Sequence, residues 1–400
     1  MAKFGSVCKF VRGPFGGSLK KSCFKEEGYA VYEQQHAIYE QFNDIRYFID
    51  EEKFIEMSRF ELAPNDLIMS CSGTMGKIAI VPDGITKGII NQALLKLTPN
   101  DCLLPDFLKL WMNSPNFQGE ILSLAQGAAI KNMASVKMLK DINVPIPSHI
   151  EQQQIVDLLD KAFADIEQAR TNTEKNLQNA RELFDSYLQQ VFSERGEDWE
   201  ETNLGVISEL KNGLNYTQAS KGELVKIVGV KNFKDKFYIS NDELETIQID
   251  GTLSEAYHAK DGDIFIVRSN GNKALIGRSV LAKGVTGKVS HSGFTIRVRL
   301  SSSAILPSYL THYLKSKHVH NLLIRSGEGA NISSLNQKAL ASLPVRFPEK
   351  NEQLRLVHDI EAIQSKTMAL VDVYEQKLAA LDELKQSLLQ QAFTGQLTQG

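Results

Sequence analysis

Two long stretches of the chain carry apolar side chains at steps of three and four, the period of a helix that buries one stripe. In the first, Ile155, Leu159, Ala162, Ile166 and Ala169 lead to Leu177, Ala180, Phe184, Tyr187 and Val191, with one stutter near Thr173. Pro147 sets the entry, Ser148-His-Ile-Glu151 reads as a capping box, and the pattern stops at Ser193, ahead of Gly196. In the second, Leu356, Ile360, Ile363, Leu370, Tyr374, Leu378, Leu381 and Leu388 run toward Gly395, a C-terminal cap residue; Glu349 stands where the first stretch has its serine. At 1.5 Å per residue each predicted helix is roughly 65 Å long, whereas the linker Glu194–Glu201 spans at most roughly 28 Å. If the stripes bury each other, the second helix returns antiparallel to the first, with a globular domain at either end of a rod. The other reading has each helix covering its own domain.

Outside these stretches the period changes. Short strand-like runs (Lys77-Ile-Ala-Ile-Val, Leu94-Leu-Lys-Leu, Asp263-Ile-Phe-Ile-Val, Phe294-Thr-Ile-Arg-Val-Arg-Leu) mix with helical segments around Leu104–Asn113 and Pro307–Lys315, so each globular half is α+β or α/β. The second half also echoes the first at an offset of about 200 residues. Gly5-Ser-Val and Gly13-Pro match Gly205-Val-Ile and Gly213-Leu, and Asp66-Leu-Ile-Met matches Asp263-Ile-Phe-Ile. Gln126-Gly-Ala-Ala-Ile130 answers Glu328-Gly-Ala-Asn-Ile332. Val144-Pro-Ile-Pro147, with Glu151-Gln-Gln-Gln-Ile-Val, answers Val345-Arg-Phe-Pro348, with Glu352-Gln-Leu-Arg-Leu-Val. Glu182-Leu-Phe-Asp-Ser-Tyr-Leu-Gln-Gln-Val-Phe answers Glu383-Leu-Lys-Gln-Ser-Leu-Leu-Gln-Gln-Ala-Phe. Residues 14–62 and 214–259 look unrelated to each other. A shared frame around divergent inserts is what two readers of different targets require.

Bulk properties narrow the classes. A chain of 400 residues suits two or three domains. Its formal net charge of -3 gives no global attraction to nucleic acid, so a DNA-binding surface has to be a local basic patch. Cys8, Cys23, Cys71 and Cys102 form no Cys-x-x-Cys pair or zinc-type spacing with histidine and read as reduced thiols of a cytoplasmic protein. No apolar run approaches the ~18 residues of a membrane span.

Catalytic signatures are imperfect or missing. There is no Asn/Asp-Pro-Pro-Tyr/Phe adenine-methylation motif. Gly271-Asn-Lys-Ala-Leu-Ile-Gly277-Arg-Ser is one residue too long for a phosphate loop and carries arginine in place of lysine. Asp44 with Glu51-Glu-Lys53 fits a charged surface better than a nuclease metal site, and His312, His318 and His320 fit a solvated helical face better than a metal cluster. What remains is loop chemistry suited to phosphates and base edges. Lys9, Arg12, Lys20, Lys21 and Lys25 alternate with Gly13, Phe15, Gly16 and Gly17, a cationic segment that can approach phosphates closely or simply be solvated. Ser70-Cys-Ser-Gly-Thr-Met-Gly-Lys77, with Ser72, Thr74 and Lys77, occupies the repeat position of Arg268-Ser-Asn-Gly-Asn-Lys273, with Arg268, Asn270, Asn272 and Lys273. Arginine and lysine can bond guanine and asparagine can pair with adenine, so these loops are candidates for direct readout; plain hairpin turns would look similar. The echoing pairs Lys131-Asn132 and Ser333-Ser334 are candidates for phosphate contact or for helix capping.

The repeat as a whole resembles the specificity subunit of type I restriction-modification enzymes. Val-Pro-Ile-Pro with Glu-Gln-Gln-Gln-Ile-Val before a long helix, and the second copy ending Glu-Leu-Lys-Gln-Ser-Leu-Leu-Gln-Gln-Ala-Phe-Thr-Gly-Gln-Leu397, look like that family's central and C-terminal conserved regions. The resemblance implies two α+β target recognition domains, 1–147 and 202–348, separated by two long antiparallel coiled-coil helices, 148–193 and 349–400, with 194–201 as linker. Each domain would read one half of a split site in double-stranded DNA. The helices would set the gap and dock two methyltransferase subunits, and restriction subunits would join them. S-adenosylmethionine, ATP and magnesium would belong to those partners, with no cofactor in this chain and no catalysis by it. The specificity subunit of a fused methyltransferase-nuclease system would share this architecture, and a coiled-coil scaffold without DNA contact is the rival from another class.

Overall fold

The computed structural model describes residues 1–15, 17–125, 136–193, 198–234, 236–325 and 334–394. Up to residue 193 its strands are β1 (Ala2–Lys3), β2 (Cys8–Arg12), β3 (Tyr29–Tyr32), β4 (Phe48–Ile49), β5 (Leu67–Ser70), β6 (Ile78–Ile80), β7 (Gly88–Ile90), β8 (Leu94–Pro99) and β9 (Asn143–Val144). The helices of that stretch are α1 (Phe4–Val7), α2 (Gln34–Tyr39), α3 (Glu51–Glu56), α4 (Pro105–Met112), α5 (Pro115–Ala125), α6 (Val136–Asp141) and the long α7 (His149–Ser193). The second half adds β10 (Glu200–Asn203), β11 (Ser208–Asn212), β12 (Leu224–Val228), β13 (Tyr238–Ile239), β14 (Glu245–Gln248), β15 (Ile264–Val267), β16 (Ser279–Ala282), β17 (Val289–His291), β18 (Thr295–Leu300) and β19 (Pro344–Phe347). Its helices are α8 (Leu204–Ile207), α9 (Pro307–Lys315), α10 (Lys317–Arg325), α11 (Gln337–Ala341) and the long α12 (Lys350–Phe393). The chain divides into two units, Met1–Glu174 with Gln376–Gly400, and Lys175–Glu375, so each long helix contributes to both.

Each unit is built in three layers. In the first, the antiparallel sheet β2-β8-β5-β6 lies between the small sheet β4-β3-β7 and a layer of helices. The period of two along β5 sorts its side chains. Leu67 and Met69 join the helical core with Phe107, Trp111 and Leu159, while Ile68 joins Ala30 and Tyr32 of the small sheet. Such a strand is buried on both faces, which is why Leu67–Ser70 reads as a continuous apolar run ending in a buried serine. The second unit repeats the plan with β11-β18-β15-β16-β13 and β14-β12-β17. There Ile264 and Ile266 face the helices and Phe265 and Val267 face the small sheet.

The inserts that share no sequence likeness build small sheets of the same topology. In each small sheet the central strand, β3 or β12, pairs antiparallel with a later strand of its insert, β4 or β14, and parallel with β7 or β17; the second insert also sends β13 to the edge of the central sheet. A basic side chain on the fourth strand of each frame ties the insert down. Lys96 Nζ donates to the Glu61 carbonyl, and Arg297, fully buried, donates to the carbonyls of Ala256 and His258 at 3.0 and 3.2 Å. The echoing Asp66 and Asp263 sit beside these cations and accept the backbone N–H groups of Ala63 and Lys260. Asp263 also holds Arg299 at 2.6 Å.

The long helices pack as predicted from their stripes. In the first unit Ile155, Val156 and Leu159 of α7 share a core with Leu389 and Ala392 of α12, and Arg170 pairs with Asp382. In the second, Leu188 and Phe192 share a core with Val357 and Ile360, and Arg181 meets Glu375 at 2.8 Å. Residue numbers fall along α12 as they rise along α7, so the pair is antiparallel. Ser148 caps α7 as the motif implied: its Oγ is 3.3 Å from the Glu151 N–H, and Glu151 accepts the Ser148 N–H at 2.8 Å. The stutter is filled by Thr173, buried, with its hydroxyl donated to the Ala169 carbonyl. Leu370, placed on the stripe by its spacing, is instead exposed; the seam runs through buried Thr367 and half-buried Val371, because a straight helix drifts off a strict heptad.

Candidate nucleic-acid interface

At one end of each central sheet three segments converge: the exit of the first strand, the loop after the third, and the turn into the fourth. In the first unit Gly13 donates to Leu94 and crosses so close to Asn91 that an added Cβ would stand 1.8 Å from the Asn91 oxygen. Cys71, the first residue after β5, donates to Ala93. In the second unit Gly213 donates to Thr295, its Cβ would stand 2.2 Å from the Ser292 oxygen, and Arg268 donates to Phe294. These bonds define equivalent positions: Arg12 with Asn212, Phe15 with Asn215, Cys71 with Arg268, and Ala93 with Phe294. Only glycine permits the crossing, which explains the Gly13/Gly213 echo.

The candidate residues distribute around these junctions. Arg12, half-buried at the end of β2, lies beside Cys71; burial pushes that thiol up to about 12, against the pull of the guanidinium. Arg12 Nη1 is buried with no hydrogen-bond partner among the described residues. Lys20 and Lys21 are exposed at a short 3-10 turn that follows buried Leu19. Ser72, Thr74 and Lys77 lie on the hairpin that joins β5 and β6. Ser70 Oγ braces it, donating to the Thr74 carbonyl at 2.6 Å and accepting the Lys77 N–H at 3.0 Å. Ser72 is half-buried, and Thr74 and Lys77 are exposed.

In the second unit the loop of Arg268, Asn270, Asn272 and Lys273 is equally self-braced. Asn270 Oδ1 accepts the Asn272 N–H, and Asn272 Oδ1 accepts the Ala274 N–H. Each carbonyl keeps one lone pair for a further donor. Ser334 bridges to Ser269, and Leu335 donates to the Arg268 carbonyl at 2.7 Å, so Ser334 and the Arg268 loop are brought together. Capping of the helix that follows belongs to Asn336, whose Oδ1 accepts the Ala339 N–H. Lys131, Asn132 and Ser333 lie outside the described residues.

A second feature is repeated as well. Clefts of about 480 and 490 Å³ open at the helical side of each central sheet. Lys77, Asn113, Gln118 and Phe163 line the first; Arg278, Lys315, His320 and Gln364 line the second at corresponding positions. Lys77 therefore belongs to this cleft as well as to its hairpin.

Other expectations change. His312 is buried, not solvated: its ring lies 4.2 Å from that of Phe237, and burial pulls its pKa down to about 3. All of Tyr309–Leu314 is buried, because α9 is covered on several sides and has no polar face. His318 is exposed on the next helix, α10, and His320 is half-buried there. Among the described residues no group of His, Cys, Asp and Glu is arranged to hold a metal. Gly271–Gly277 joins two strands through a 3-10 turn, so it lacks the strand-to-helix setting of a phosphate loop. Glu51 and Glu52 lie in the first turn of α3, and Lys53 pairs with Glu56 at 2.8 Å, a charged helix face. No described helix is long and apolar enough to cross a membrane. Sequence reasoning took Phe294 for the first residue of a strand; it lies one residue before β18 and is 61% exposed. The turn residues Ser292-Gly293 just ahead of it were the available signal.

The fold is thus a doubled α/β body, each copy carrying a junction of basic and polar loops and sharing a long helix pair. Residues 2–175 match the model of the type I restriction modification DNA specificity domain. The chain is 27% identical over 359 residues to the type I restriction enzyme StySPI specificity subunit of Salmonella potsdam, an alignment covering 84% of this chain and 76% of that one. It is 24% identical to the EcoKI specificity subunit of Escherichia coli strain K12, covering 76% and 68%. In fold it is similar to the HsdS subunit from Thermoanaerobacter tengcongensis, with a TM-score of 0.67, 17% identity and 99% and 96% of the two chains covered. A chain from a structure of a type I R-M system aligns with a TM-score of 0.73 at 17% identity, covering 99% and 97%. Over most of its length the chain is therefore similar to type I restriction-modification specificity subunits.

Proposed function

We propose that this chain is the sequence-reading subunit of a type I restriction-modification enzyme and leaves the chemistry to its partners. Each unit's junction reads one half of a split site in double-stranded DNA. The α7/α12 pair fixes the unspecified gap and docks two methyltransferase subunits, which hold S-adenosylmethionine; restriction subunits using ATP and magnesium complete the assembly. The observation that carries this reading is the doubling: one three-layer frame occurs twice, around inserts that look unrelated in sequence yet build small sheets of one topology. A frame held constant while its loops diverge suits two readers of different half-sites. Two linked sites on a stiff spacer bind avidly only when the gap matches.

The test is methylation mapping of genomic DNA from cells expressing this chain with its methyltransferase, against the methyltransferase alone. A split adenine-methylated motif that depends on this chain is the expected result. No new motif, despite a stable complex of the two, would overturn the reading in favour of a scaffold.

A further inference from the structure

Each junction carries one arginine and one exposed phenylalanine, yet none of the four occupies an equivalent position. In the first unit Arg12 and Phe15 both come from the exit of β2, where the second unit has Asn212 and Asn215. In the second unit Arg268 and Phe294 come from the other two segments, where the first has Cys71 and Ala93. Phe15 is 89% exposed and Phe294 61%, so neither ring contributes much to a core. The main chain of both is hydrogen-bonded. Phe15 follows buried Pro14, and its carbonyl accepts the Ser18 N–H at 2.8 Å. The Phe294 carbonyl accepts the N–H groups of Arg268 and Ser269 at 2.8 and 3.3 Å, and Gly293 before it donates to Leu214 at 2.7 Å.

We propose that Phe15 and Phe294 are the base-stacking wedges of the two half-site readers, each ring pressing into one base step beside its junction's arginine. The inference rests on the DNA-reading function proposed above. A lone exposed phenylalanine is unremarkable on a protein surface. Here the same pairing of cation and ring arises twice from different chain segments. Its surroundings, with exposed Lys20 and Lys21 beyond Phe15 and exposed Lys273 beyond Arg268, suit a polyanion better than an apolar protein partner. Cations draw in the phosphates, and an exposed apolar ring can then enter and partly unstack a step.

The experiment uses the full chain in complex with its methyltransferase and DNA carrying the mapped site, with 2-aminopurine in turn at positions other than the methylated adenines, since those are extruded for reaction. With wild type, emission rises at one step in each half-site. Phe294→Ala abolishes the rise in one half and weakens binding to the split site by roughly tenfold to a hundredfold, leaving random DNA unchanged. Phe15→Ala does the same in the other half, and Phe294→Trp retains both signals. Unchanged emission and affinity in both alanine variants, while wild type still prefers its split site, would overturn the wedge and leave the proposed function standing. So would equal losses on split-site and random DNA. A wild-type complex with no preference for a split site would overturn both.

Discussion

Two histidines of the second unit are buried without charge, and their cost appears on acidification. Burial, reinforced by Arg297, pulls the His291 pKa down to about 3; burial, reinforced by Lys315, does the same to His312. Above the ordinary histidine value near 6.5 both rings are neutral whether the chain is folded or not, and they cost nothing. Below it the unfolded chain takes up protons that the folded unit refuses, so stability falls with pH until about pH 3. By pH 5 the loss is roughly 2 kcal/mol for each ring. Urea unfolding read by hydrogen exchange in β16–β18 at pH 7 and pH 5 measures it. His312→Leu is expected to remove about half of the difference at no cost at pH 7, because neither ring nitrogen of His312 has a hydrogen-bond partner among the described residues. An unchanged difference in the variant would show that other groups carry the pH dependence. His312 also marks where residue-scale reading fails: with His318 and His320 near lysines it looks polar, and nothing local reveals that α9 is enclosed.

The elements were more legible than their anchors. The strands near Ile78, Leu94, Ile264 and Thr295, the helices at Pro105 and Pro307, and both long helices followed from apolar period and boundary residues. The small sheets did not, because β4 has only two residues and the central strands β3 and β12 pair with strands far along the chain. The repeated glutamine of the Glu-Gln motifs gave no hint of its role until its surroundings were visible. Gln152 accepts the Leu104 N–H at 2.8 Å and donates to the carbonyls of Cys102 and Pro147; Gln353 accepts the Leu306 N–H and donates to those of Ala304 and Pro348. Both are fully buried, so each welds the start of a long helix to the loop entering α4 or α9. Replacing Gln152 by alanine strands three part-buried polar groups and is expected to cost about 2–3 kcal/mol. The expected pattern in exchange-monitored urea unfolding is earlier opening of α4 with the start of α7 for Gln152→Ala, and of α9 with the start of α12 for Gln353→Ala. Midpoints within a few tenths of wild type in both would mean that the bonds are structurally idle.

At the scale of the whole molecule, the repeat was readable because the frame needs the same glycines, aspartates and helix entries twice, whereas the junction loops are under no such constraint. Their residues could be nominated by chemistry but not placed: Arg12 and Arg268 prove to be junction residues, Lys77 also lines a cleft, and Phe294 was hidden at the head of a strand. The helices permit the most quantitative test of the proposed ruler. Arg170 meets Asp382 in one unit and Arg181 meets Glu375 in the other, so seven residues inserted between Arg170 and Arg181 and seven between Glu375 and Asp382 keep the seam in register. The pair lengthens by about 10.5 Å, the rise of roughly three base pairs. Two heptad turns rotate a helix pair by only about 20°, whereas three base pairs rotate B-DNA by roughly 100°. Length therefore favours a gap two to three base pairs wider, while helical phase weakens the fit at that gap. Methylation mapping is expected to return both half-sites unaltered, a gap wider by roughly two to three base pairs, and lower occupancy than wild type. An unchanged gap would remove the helices from the measurement of distance, and altered half-sites would show that the recognition domains are not independent of them.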